Sequence, residues 1–80
     1  MGEELLNRIV IDPGIMSGKP VIRGTRIPVD LLLRMVAQGI SQEDILAEYP
    51  ILQSQDIRAA LTYAARVVGQ ELVFPLPATQ

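Results

Sequence analysis

The spacing of apolar positions divides this chain into a short extended front and a helical remainder. In residues 54–68, Ile57, Ala60, Leu61, Ala64 and Val68 recur at helical spacing and predict one inward face. A shorter pattern opens at Ser41 and carries Ile45 and Leu46. Tyr49-Pro50-Ile51-Leu52 separates the two, with Pro50 favouring an extended Tyr49 and ending the earlier helix. Short helix, turn and longer helix is the outline of a helix-turn-helix, and many non-binding helical hairpins share it.

Upstream, Leu31, Leu32, Leu33, Met35 and Val36 cover more than one stripe of a helix. A helix so widely apolar calls for core on one side and a partner subunit on the other. Pro28 suits its first position, Asp30 complements its dipole, and Gly39 supplies a left-handed cap. Ser41, followed by Glu43 and Asp44, caps the next helix. The last helix starts at Gln53 or Ser54 and stops at Gly69.

The front reads differently. Arg8-Ile9-Val10-Ile11 is a short β-branched strand stopped by Asp12-Pro13-Gly14. Gly24-Thr25 fits a two-residue type II′ hairpin turn joining Val21-Ile22-Arg23 to Arg26-Ile27. Arg23 and Arg26 would then stand opposite each other, which requires a nearby anion. That anion is an internal one such as Asp12 or Asp30, or else a phosphate or an acidic partner surface. Residues 14–20 resemble a phosphate-binding loop only superficially, with three residues between the glycines and a proline after Lys19.

The expected organisation is a loose lead-in over residues 1–7, one domain over 8–69, and an apolar, proline-containing tail over 70–80. The tail carries Leu72, Val73, Phe74 and Leu76, more large apolar residues than a solvated tail needs. It folds back on its own core or docks on another chain. Eighty residues bury a modest core, so a homodimer is expected to add stability.

Net charge is −2, yet it is unevenly spread. Arg8, Lys19, Arg23, Arg26 and Arg34 outweigh Asp12 and Asp30, making residues 8–34 a basic unit on an acidic chain. The absence of histidine and cysteine removes the commonest general base, thiol nucleophile and metal ligands. Asp44 and Glu48 are the one carboxylate pair facing each other on a helix, too few for a firm metal site. The expectation is a non-enzyme with no cofactor, metal or small-molecule substrate. No membrane span or signal pattern occurs, so a cytoplasmic protein is expected.

The run Gly18-Lys19-Pro20-Val21-Ile22-Arg23-Gly24-Thr25-Arg26-Ile27-Pro28, with Ile11-Asp12-Pro13 before it, resembles the prokaryotic family called domain of unknown function 433. Gly39, Ile45-Leu46, Tyr49-Pro50, Asp56-Ile57 and residues 59–64 continue the likeness, which spans roughly residues 8–68. The resemblance implies a mainly α fold, a three-helix homeodomain-like helix-turn-helix bundle behind a short β element. It implies an antitoxin of VapB type, partnered by a toxin with a PIN-like nuclease fold and able to repress its own operon as a dimer. The family favours Thr or Ser where this chain has Gln53, which would displace the capping hydroxyl to Ser54. The tail lies outside the shared pattern.

On that reading Ser54, Gln55, Arg58 and Thr62 are the candidates for reading DNA bases. Lys19, Arg23, Arg26, Arg34 and Arg66 are the candidates for phosphate or for an acidic partner. Asp56, inside the proposed reading turn, counts against DNA, as does the acidic second helix. The alternative is a protein-interaction module without DNA binding, using Arg23 and Arg26 or the tail. In the plainest account, Arg58 and Arg66 only solvate the outside of a core helix.

Overall fold

A computed structural model describes residues 2–70 of the chain. The described residues are mainly helical, with four α-helices and a two-stranded antiparallel hairpin. The elements in order are α1 (Gly2–Leu6), β1 (Ile9–Ile11), β2 (Pro20–Ile22), α2 (Val29–Ala37), α3 (Gln42–Glu48) and α4 (Ser54–Gly69). The core gathers Ile22, Val29, Leu32, Ile45, Leu52, Ile57 and Ala60, so every element from β2 to α4 contributes a buried side chain.

β1 pairs within the chain, Ile9 opposite Ile22 and Ile11 opposite Pro20. The next turn differs from the sequence expectation. Thr25 N–H donates to the Ile22 carbonyl at 3.0 Å, making Ile22 to Thr25 the turn and Gly24 its third residue. Gly24 has φ +78°, the conformation a type II turn demands there, so the expected type II′ geometry is overturned. Thr25 fixes the loop by donating its hydroxyl to the Ile22 carbonyl and accepting the Ile27 N–H. Ile22 N–H meets the Ile27 carbonyl, so isoleucines rather than Arg23 and Arg26 pair across the loop.

Pro28 is the extended N-cap of α2 rather than its first residue, so the helix begins at Val29, one residue later than expected. The helix ends as expected on Gly39, at φ +84°. Gly39→Ala is expected to cost about 1–2 kcal/mol, because a Cβ there clashes with its own backbone and no tertiary neighbour is within 4 Å. Urea unfolding would show this as a lower midpoint at unchanged slope. In α3, Ser41 Oγ accepts the Asp44 N–H at 3.1 Å, the capping bond its sequence position predicts.

Two further expectations are corrected. Residues 1–7 were expected as a loose lead-in, but Gly2–Leu6 form α1, which packs against α4. Glu and Leu are good helix formers, and α4 supplies the tertiary contact that so short a helix requires. The inward face of α4 is also narrower than the spacing suggests. Ile57 and Ala60 are buried, whereas Leu61 and Val68 are exposed. Asp56 and Ala59 take the inward positions instead, because α1 and β1 pack on the side that carries them.

Candidate nucleic-acid interface on the last helix

α4 is anchored at its start by an ion pair that the linear sequence conceals. Asp56 is 5 % exposed and receives Arg8 Nη1 at 3.0 Å. Its second carboxylate oxygen accepts the Gln53 N–H at 2.8 Å. One carboxylate therefore caps the helix and ties it to the residue that precedes β1. Gln53 is the N-cap, so α4 begins at Ser54 without a capping hydroxyl, and its first turn is not displaced. The Ser54 hydroxyl instead donates to Gln55 Oε1 at 3.2 Å.

With Asp56 turned inward, the outer surface of the first three turns carries Gln55 and Arg58 exposed, with Ser54 and Thr62 half-buried. Thr62 donates its hydroxyl to the Arg58 carbonyl at 2.8 Å, which orients its methyl and leaves its oxygen able to accept. Arg66 is exposed two turns beyond Arg58. The fold thus keeps the five outer residues of α4 on one surface. The acid that counted against this surface is neutralised by Arg8. One neighbour was missed in the sequence: Glu4 and Leu5 of α1 join Arg8, Gln55 and Arg58 around a cleft of about 270 Å³. The Glu-Glu-Leu-Leu run was the available signal for a helix there, although its contact with α4 was not legible.

The basic front unit is less uniform than its composition suggests. Lys19 Nζ and Arg34 Nη2 both approach Asp30, at 3.5 and 3.7 Å, so one acid serves two cations. Arg23 donates Nε to the Asn7 carbonyl at 2.7 Å, so its internal partner is neither Asp12 nor Asp30. Asp12 accepts the Gly14 N–H and so shapes its own loop. Arg26 is exposed and has no ion-pair partner among the described residues. The proposed tail contacts Leu72, Val73, Phe74 and Leu76 lie outside the described residues.

Over the described residues, four α-helices and a small antiparallel hairpin present a polar outer row on the last helix. The sequence profile described as "Protein of unknown function (DUF433)" matches residues 9–64, and the chain belongs to that family. The crystal structure of a DUF433 member from Anabaena variabilis superposes with a TM-score of 0.74 at 40% sequence identity, covering 85% of this chain and 67% of that one. An uncharacterised protein of Sinorhizobium fredii, y4eO, is 43% identical over 56 residues, 70% of this chain. The chain spans 25% of that relative's length. An uncharacterised protein of Archaeoglobus fulgidus is 57% identical over 30 residues, 38% of this chain and 83% of that one. Ser54, Gln55, Arg58, Thr62, Lys19, Arg23, Arg26 and Arg34 fall inside the family match, whereas Arg66 and the tail fall outside it. Among the described residues no helix is long and apolar enough to cross a membrane.

Proposed function

We propose that this chain is a DNA-binding autoregulator, reading its operator with α3, the turn over residues 49–53, and α4 arranged as a helix-turn-helix. The observation that carries the reading is the sequestration of Asp56 by Arg8, which leaves Gln55 and Arg58 on the outer surface without a carboxylate between them. Gln and Arg are side-chain types that bond bidentately to adenine and guanine edges. Arg66, Lys19 and Arg34 supply phosphate contacts, while Glu4 of α1, which lines the same cleft as Gln55 and Arg58, narrows the side from which DNA can reach them. The same reading makes the chain the antitoxin of a type II pair whose toxin is a PIN-like nuclease. The role is binding, not catalysis.

The test is a fluorescence-anisotropy titration with the DNA upstream of the chain's own gene, against a scrambled duplex, at two salt concentrations. Specific binding should weaken steeply with salt. Arg58→Ala is expected to cost about 1–3 kcal/mol on the specific duplex and to relax discrimination. Arg66→Ala should weaken both duplexes alike and reduce the salt slope by about one. Equal affinity for the two duplexes, or none for either, removes this function and leaves a protein-interaction module.

A further inference from the structure

On the far side of the 22–25 turn, Ile15, Gly24, Thr25, Arg26, Ile27 and Ile51 line an open groove of about 480 Å³. Its walls are three isoleucines, and its one charge is Arg26, which has no ion-pair partner among the described residues. Ile51 is 63 % exposed in the turn before α4 and, with Ile15 and Ile27, forms a contiguous apolar wall. An occupant that matches this surface carries a carboxylate beside large apolar side chains. The chain itself contains such a segment, Glu71-Leu72-Val73-Phe74, immediately after the described residues.

We propose that residues 71–74 of a second copy of this chain occupy the groove, with Glu71 on Arg26 and the apolar side chains over Ile15, Ile27 and Ile51. Reach decides between the same copy and another. The groove lies at the start of α4, and the segment emerges from its end, 16 residues later. At 1.5 Å per residue those points are about 24 Å apart. Glu71 directly follows Gln70 in the chain, and one Cα–Cα spacing of about 3.8 Å is short against that length, which favours a groove on another copy. In a two-fold pair with antiparallel α4 helices, each helix end meets the other copy's groove, and both contacts form at once. α4 offers a surface for that pairing. Leu61, Ala65 and Val68 share one side of the helix, and Leu61 and Val68 are 44 % and 62 % exposed. That side also carries Ser54 and borders Arg58, so the pairing and the proposed DNA contact compete for one surface of α4, and the inference stands apart from DNA binding.

Sedimentation equilibrium of the full chain, from micromolar to millimolar concentration, tests it. The wild-type chain should associate to a dimer. Arg26→Glu and Glu71→Arg should each raise the dimer Kd at least about tenfold, and their combination should bring it back to within about threefold of wild type. Arg26→Glu combined with Glu43→Arg restores net charge at the opposite end of α3 from the groove and should not rescue. Ile51→Asp should abolish association while leaving unchanged the circular-dichroism melt taken at concentrations where the wild type is monomeric, since Ile51 is outside the core. A monomer throughout the range overturns the proposal. So does a charge-swapped pair as weak as its single variants, or a rescue by Glu43→Arg.

Discussion

Ile45→Ala is expected to destabilise the chain by about 3–4 kcal/mol, within the range for truncating a fully enclosed aliphatic side chain. Ile45 is 0 % exposed and belongs to the same cluster as Leu32, Leu52, Ile57 and Ala60. Those neighbours come from α2, the 49–53 turn and α4, whose backbones are fixed by their own hydrogen bonds, so a cavity there closes only partly. A domain this small has a total stability of only about 5–10 kcal/mol, so the loss removes a large part of it. Chemical denaturation of wild type and variant would measure the effect. Leu61→Ala is the control. Its side chain is largely exposed on α4, and the monomer should lose no more than about 0.5 kcal/mol. Similar costs at the two positions would contradict the arrangement of α4.

Arg8→Ala is expected to cost about 2–3 kcal/mol, more than its place before a three-residue strand suggests. Exposed ion pairs contribute about 0–1 kcal/mol, whereas removing one partner of a buried pair costs about 3–5 kcal/mol. The Asp56 side chain is 8% exposed and that of Arg8 34%, which places the pair between those limits. Truncating Arg8 leaves the Asp56 carboxylate with the Gln53 N–H as its remaining partner, in a site with little access to water. Asp56→Ala removes both the charge partner and the helix cap, a similar total by a different route. A double-mutant cycle over the two positions should give a coupling of about 1–2 kcal/mol. Coupling near zero would mean that the two groups act independently and that α1 and β1 are not tied to α4 through this contact.

The functional consequence follows from the same pair. Without Arg8, the carboxylate of Asp56 would sit uncompensated beneath the surface formed by Gln55 and Arg58, and any phosphate approaching α4 would meet it. On the proposed DNA-binding reading, Arg8→Ala should weaken the complex even where the chain remains folded, although Arg8 is not one of the proposed base-reading residues. In this way the β1 end of the domain and the outer face of α4 form one electrostatic unit.

Local signals in the sequence determined much of this protein. Ser41 and the acids after it, Gly39 at its positive φ, Pro50, and the spacing of Ile57 and Ala60 each act within a few residues, through capping, conformational preference or helical period. They placed α2, α3 and α4 nearly residue by residue, and the motif around Gly18 to Pro28 placed the chain in its family. Tertiary structure decided the remainder. Whether Gly24 served a type II or a type II′ turn depended on Ile22 finding Ile27 across the loop. Which side of α4 was buried depended on α1 and β1, so Leu61 and Val68 remained outside although their spacing matched the core. Asp56 was legible as an acid in the first turn of α4, but its partner is 48 positions away in the chain. Periodicity and propensity describe a residue's neighbours along the chain. Its charge environment and burial belong to neighbours in space, and those exist only after the helices have packed.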